Sequence, residues 1–290
     1  MIKSCVIGLG AMGAGIAGNL HKAGMLASAW NRTPERGQAA AAKHGFDLSE
    51  SMEHAAAQAD LVITSVSADQ DLFDVTAKLA PAMKSGSVIL DTSTVSMQTA
   101  QEVAKRLEKD GIHFLDAPVS GGKEGAEKGT MVMMVGGDEE VLSRVMPALD
   151  AISSKVTHMG SVGNGQATKA VNQIMAAGIN QAVTEGLAFA QSQQLDIAKL
   201  VDTLSGGAAG NWFLAHRGKT MTEGIYEPGF RVALHDKDLK ICQQMLQQQG
   251  AELSVVDNTR KHYEQLMDQG FGDEDISSLF RLKRQLFDDN

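Results

Sequence analysis

Through the first 160 residues, short runs rich in β-branched and other apolar residues alternate with segments whose apolar positions recur every three to four residues. The runs are SCVIGLG near the start, LASAWN, LVITSV (61 to 66), SVILDTS (87 to 93), HFLDAP (113 to 118), TMVMMVGG (130 to 137) and KVTHMG (155 to 160). Helical spacers separate most of them, one from about residue 11 to 23 and another opening at Thr33-Pro34. Repeated strand-helix-strand units with right-handed crossovers predict a parallel, doubly wound sheet. After Gly165 the strand signals stop. A long helical run covers about 166 to 194, followed by the glycine-rich loop SGGAAGN (205 to 211) and helical segments such as HDKDLKICQQMLQQQG. The pattern therefore predicts an α/β domain over residues 1–162 and an all-α domain over 163–290, joined by a long interdomain helix. The helical half has more apolar helix face than one such domain needs to bury, which predicts a homodimer or homotetramer formed through it.

Composition narrows the partners. The 290 residues suit two domains. With 26 Lys and Arg against 35 Asp and Glu, the formal charge is -9, which argues against nucleic acid and against an anionic membrane surface. No run of 18 apolar residues exists to span a bilayer. The apolar start, MIKSCVIGLGAMGAGIAGNL, reads as strand, turn and helix rather than as a signal peptide. Cys5 and Cys242 stand far apart and in no CxxC pair, so a disulfide framework and a zinc site are both unexpected, and a cytoplasmic location is the default. No metal is expected. The eight histidines form no HxxxH pair, and on a helix His235, Asp236 and Asp238 diverge by about 100° and 200°. No G-x-S-x-G elbow is present, which counts against a hydrolase of that type.

Two motifs carry chemistry. VIGLGAMG places Gly8, Gly10 and Gly13 in a G-x-G-x-x-G spacing directly after a strand and before a helix, with Leu9, Ala11 and Met12 between them. That context predicts a dinucleotide-binding turn in a Rossmann domain, the pyrophosphate lying at the positive end of the helix. The second strand ends Trp30-Asn31-Arg32-Thr33, with no carboxylate until Glu35. An acid there would hydrogen-bond the ribose hydroxyls of NAD and repel an added 2′-phosphate. Arg32 instead offers a fixed-charge fork, while Asn31 and Thr33 hydrogen-bond without repulsion. NADPH is favoured, with NAD as the weaker alternative. In the second motif, GNGQATKAVNQ (163 to 173), Gln173 and Asn180 fall within about 40° of Lys169 around the helix, and Val171, Ile174 and Gly178 point away. A solvated lysine is the ordinary explanation of such a stripe.

Together these stretches resemble the β-hydroxyacid dehydrogenase family, the group that includes 3-hydroxyisobutyrate dehydrogenase, tartronate semialdehyde reductase and glyoxylate/succinic semialdehyde reductases. IGLGAMG is similar to the family's cofactor signature, DAPVSGG (116 to 122) to its substrate loop, GNGQATKAVNQ to its catalytic helix and GFRVALHDKDL (229 to 239) to its late Lys-Asp motif. The resemblance implies that Lys169 is the catalytic lysine and that Ser120, Gly121 and Gly122 hold a substrate carboxylate. It also implies that Thr94 and Lys237 reach the cofactor or substrate edge, and Val66 and Ser67 are expected to bind the cofactor. Many members carry asparagine four residues after the lysine. Here Gln173 stands there and Asn172 one place before it.

In that chemistry the Lys169 ammonium stabilises and then protonates the oxygen on which charge develops during carbonyl reduction. As a neutral amine it takes the proton back in the oxidative direction, for which burial should lower its pKa below the free value of about 10.4. Asn172 and Gln173 orient the amine and the substrate hydroxyl. Successive N–H groups at 120 to 122, with the Ser120 hydroxyl, form an anion cradle. Trp212 either covers the substrate or packs between helices. The expected substrate is a small carboxylate-bearing aldehyde, ketone or hydroxyacid. An imine reductase is an alternative with similar architecture, although that group generally carries aspartate or tyrosine where Lys169 stands. A non-catalytic NADPH-binding scaffold is another; such a module would tolerate loss of the lysine.

Overall fold

The computed structural model describes residues 2–287. The chain divides into two compact units, Met1–Lys169 and Ala170–Asn290, the division falling within one long helix.

The first unit runs β1 (Ser4–Ile7), α1 (Gly13–Lys22), β2 (Leu26–Trp30), α2 (Pro34–His44), α3 (Met52–Ala56), β3 (Leu61–Thr64), α4 (Asp69–Leu79) and β4 (Val88–Asp91). It continues through α5 (Met97–Glu108), β5 (His113–Asp116), β6 (Val119–Ser120), α6 (Gly122–Lys128), β7 (Met131–Val135), α7 (Glu139–Leu149) and β8 (Ser153–His158), then opens α8 (Asn164–Ser192). Five parallel strands lie in the order β2-β1-β3-β4-β5. Successive residues on a strand face opposite sides, so Val6, Leu61, Ile63, Val88 and Leu90 enter one core cluster. Cys5, Ile7, Val62 and Ile89 enter another. A sheet buried on both faces by helices is the doubly wound arrangement. The register matters for the site. Ile7, Trp30, Thr64, Asp91 and Asp116 lie side by side at the carboxyl ends of their strands, so the loops that follow all leave the sheet along one edge.

The last strands depart from the expected single parallel sheet. β6, β7 and β8 form a separate three-stranded sheet in which β6 and β7 are antiparallel. The cause sits at Asp116 and Gly136, whose backbones exchange two hydrogen bonds of 3.1 and 2.8 Å in an antiparallel bridge. A Cβ at Gly136 would collide with the Asp116 carboxylate, so only glycine lets the two chains approach.

The Asp116 side chain fixes the start of α8. Its two oxygens accept from Gly163 N at 2.7 Å and from Gln166 N at 2.9 Å, meeting donors that a helix N-terminus leaves without intrahelical partners. The carboxyl is fully buried, and that burial pushes its pKa up to about 6 against the opposing pull of the backbone N–H bonds, with nearby Asp91 raising it further.

The second unit contains the rest of α8 with α9 (Ile197–Ser205), α10 (Trp212–Thr222), α11 (Val232–Gln248), α12 (Ser254–Asp268) and α13 (Phe280–Gln285). Its core gathers Ala177, Leu187, Leu239, Val256, Leu266 and Phe280 among others. Inside lies a polar chain. Asn180 donates to the Tyr263 hydroxyl at 2.9 Å, and that hydroxyl is 3.0 Å from His235 Nδ1. The other imidazole nitrogen lies 3.2 Å from the Gln173 carbonyl, which only accepts. Nε2 therefore carries the proton and Nδ1 receives the Tyr263 O–H. Burial raises the Tyr263 phenol pKa, which keeps it a donor. Among the described residues no helix is long and apolar enough to cross a membrane.

The pH response of the Asp116 contact is testable. Its folded-state pKa lies above the ordinary carboxyl value of 3.8. Between about pH 4 and 6 the native state then binds more protons than the unfolded chain, and the group's contribution to stability falls as pH rises through that window. The stability gap between wild type and Asp116→Asn, read from urea midpoints, is expected to move in favour of wild type by on the order of 2 kcal/mol as pH drops from 7 to 4. A gap that stays constant over that range would show that Asp116 titrates as an ordinary surface acid.

Candidate active site

The glycine turn is built by close approach. Gly8 has φ of +95°, and a Cβ there would strike the Ser65 carbonyl; a Cβ at Gly13 would strike the carbonyl of Gly8. Gly10 differs, because its Cβ would project into open space. The turn thus leaves a bare backbone surface at Gly10, directly before the N-terminus of α1. No acidic residue occupies the first turn of that helix, so its dipole favours an anion. These features fit a dinucleotide pyrophosphate.

Flanking loops are stitched to this turn. Asn31 Oδ1 accepts from Leu9 N at 2.7 Å and its Nδ2 donates to the Thr33 carbonyl at 2.8 Å, so its side chain braces the loop after β2. Arg32 extends outward, and its Nη1 meets Asp71 Oδ1 at 2.7 Å. After β3, Val66 N donates to Ser93 Oγ at 2.8 Å, and Ser93 Oγ in turn donates to Asp91 Oδ1 at 2.7 Å. Gln166, in the first turn of α8, accepts from Val95 N at 3.2 Å and donates to the Ser93 carbonyl at 2.9 Å, gripping the segment that contains Thr94 on both sides.

Lys169 lies one turn after Gln166. It is 7% exposed, and its Nζ donates to the Val119 carbonyl at 2.8 Å. The solvated-lysine explanation of the stripe therefore fails. Val119 immediately precedes Ser120, and Gly121 and Gly122 follow with φ of +122° and +60°, a backbone path that L side chains resist. The first unit thus brings together the glycine turn, the loops carrying Asn31, Arg32, Val66, Ser67 and Thr94, the Ser120-Gly121-Gly122 stretch, and Lys169.

The remaining expected residues belong to the second unit. Asn172 Nδ2 donates to Gln173 Oε1 at 2.7 Å, and Gln173 Nε2 donates to Asp238 Oδ2, also at 2.7 Å. Asp238 Oδ1 pairs with Lys237 Nζ at 3.0 Å. Asn172, Gln173 and Lys237 therefore share one polar chain with Asp238 as its link. Trp212 is exposed at the start of α10; its ring stacks on His216 with centroids 4.4 Å apart, and the Arg217 guanidinium lies 5.4 Å from its centre. It does not pack into the core between helices. Among the described residues no group of three or more His, Cys, Asp or Glu gathers in a metal-holding arrangement.

Reading the sequence alone missed three participants: Asp116, Gln166 and Asp238. Each stands inside a quoted motif but was given no role there: Asp116 opens DAPVSGG, Gln166 lies three residues before the lysine in GNGQATKAVNQ, and Asp238 directly follows Lys237 in GFRVALHDKDL.

Known proteins resemble this chain along nearly its whole length. A family model described as the NAD binding domain of 6-phosphogluconate dehydrogenase matches residues 3–160. A second, described as NAD-binding of NADP-dependent 3-hydroxyisobutyrate dehydrogenase, matches residues 163–283. An uncharacterized oxidoreductase of Shewanella frigidimarina is 38% identical over 288 residues, covering 98% of this chain and 99% of that one. The 2-hydroxy-3-oxopropionate reductase of Escherichia coli K12 is 34% identical over 247 residues, 84% of each chain. Among solved structures, the 3-hydroxyisobutyrate dehydrogenase of Mycobacterium tuberculosis, determined with L-serine, superposes with a TM-score of 0.88 at 31% identity, covering 98% of this chain and 99% of that one. Matched along nearly its whole length, the chain belongs to the β-hydroxyacid dehydrogenase family, oxidoreductases that work with a nicotinamide cofactor.

Proposed function

We propose that the protein reversibly reduces a short 3-oxo acid or semialdehyde to its hydroxyacid, with NADPH as reductant and Lys169 as the proton donor. The observation that carries this reading is the bond from buried Lys169 to Val119, the residue before Ser120. The nicotinamide, when bound, supplies the hydride. Everything else falls to the chain. The Lys169 ammonium meets negative charge developing on the carbonyl oxygen and then gives up a proton to it. In the reverse direction the amine receives the hydroxyl proton.

The stretch at 120 to 122 is our candidate for holding the substrate carboxylate, because positive φ at Gly121 and Gly122 keeps it free of side chains and leaves backbone within reach of a ligand. The lysine's anchor and this stretch are neighbours in sequence, and one residue spans at most about 3.6 Å. That spacing favours a substrate whose carboxylate and reacting carbonyl are only a few bonds apart. For the second unit, the Asn172-Gln173-Asp238-Lys237 chain supports an orienting role for Asn172 and Gln173. NADPH is supported by Arg32 and by an asparagine, not an acid, at position 31. Two buried cysteines outside any disulfide, Cys5 and Cys242, suit action in the reducing cytoplasm.

Assembly follows from the other side of α8. Val171, Met175 and Ile179 form an exposed apolar stripe, with Met175 63% exposed. We propose that a second copy of the chain covers it, giving a homodimer or homotetramer.

Lys169→Ala is expected to bind NADPH within about twofold of wild type while kcat falls by about 10² to 10⁴. The assay is a panel of glyoxylate, succinic semialdehyde, tartronate semialdehyde and methylmalonate semialdehyde with NADPH and NADH. Turnover that survives the substitution would sink the mechanism. Met175→Glu is expected to shift the sedimentation coefficient toward the monomer, and a wild-type chain that already sediments as a monomer at micromolar concentration would contradict the assembly.

A further inference from the structure

Arg32 already has a partner. Its side chain is 77% exposed, yet Nη1 reaches Asp71 Oδ1 at 2.7 Å, and Asp71 is only 22% exposed in the first turn of α4. Since β2 and β3 both neighbour β1, this ion pair joins the loop after β2 to the first turn of α4, which follows β3. Resting on the NADPH reading above, we infer that Asp71 is a specificity-determining residue: it occupies Arg32 and so weakens the protein's grip on a 2′-phosphate.

Two features separate competition from support. Arg32 touches Asp71 through one nitrogen, whereas a bidentate pair would fix the guanidinium plane. The loop bearing Arg32 is positioned independently by Asn31, through Leu9 N and the Thr33 carbonyl, so Asp71 is not needed to place it. A 2′-phosphate arriving at the same guanidinium brings a second, larger negative charge and must share the arginine with the carboxylate or displace it. NADH has no such group at this position and makes no such demand. The pair therefore lowers the affinity for NADPH selectively and narrows the preference for it.

The test compares wild type, Asp71→Asn and Arg32→Ala by titration calorimetry with NADPH, NADH and adenosine 2′-monophosphate. Removing one charge a few ångströms from a multiply charged phosphate near the surface is worth about three- to tenfold in affinity. Asp71→Asn is expected to tighten NADPH and adenosine 2′-monophosphate by that factor at low salt, with the gain shrinking as salt screens it. NADH binding should change less than about twofold, which also reports that the variant is folded. Weaker or unaltered NADPH binding in Asp71→Asn, while Arg32→Ala loses NADPH affinity, overturns this inference and leaves the NADPH reading standing. NADPH binding that is indifferent to Arg32→Ala overturns both.

Discussion

A lysine amine removed from bulk water needs oxygen acceptors, and the Val119 carbonyl is one that this chain offers Lys169. Its geometry depends on another contact. The segment from 116 to 119 is tied to α8 at both ends, by the Asp116 carboxylate on Gly163 N and Gln166 N and by Val119 on Lys169. Because the first attachment fixes where the helix begins, it also fixes where a lysine one turn later emerges. The burial that raises the Asp116 pKa is a cost of placing a carboxyl there, and two backbone donors offset part of it. Gln166 adds a third attachment, to the loop after β4. The first turn of α8 is thereby held by two separate loops from the carboxyl edge of the sheet.

The same helix carries a buried polar stripe beside its buried apolar residues. Lys169, Gln173 and Asn180 are buried, while Val171 and Met175 are exposed. Buried polar groups are normally paired. Each of the three makes at least one bond, to Val119 for the lysine, Asp238 for the glutamine, and Tyr263 and the Ile276 carbonyl for the asparagine, whose Oδ1 is left without a partner. A helix with its polar stripe inward is poorly suited to being only a structural element, since aliphatic residues would fill the same space without needing partners. The inward stripe is the physical feature that sets this helix apart from a scaffold.

The doubly wound sheet and the helical second half were legible because each rests on local periodicity and glycine spacing. The glycine turn was legible for a similar reason: strand, turn and helix are contiguous in sequence. What escaped depends on distant pairing. Asp116 meets its partners 47 and 50 positions away, and Gln173 meets Asp238 across 65, separations at which single-sequence pattern carries no signal. The separate sheet of β6, β7 and β8 escaped because TMVMMVGG is as apolar as any parallel strand; its pairing is decided by Gly136 admitting the Asp116 backbone.

At Asn31 a single side chain serves two ends. An acid at this position could still accept from Leu9 N, yet an ionised carboxylate could not donate to the Thr33 carbonyl, so the loop after β2 would lose one of its two braces. The asparagine keeps both while removing the charge that would oppose a 2′-phosphate. Its amide is engaged with the backbone at both ends, which makes it foremost a brace for the loop. Under the NADPH proposal a 2′-phosphate would meet Arg32 on that braced loop, and because Arg32 is exposed and singly paired, the surrounding charge would influence what it holds.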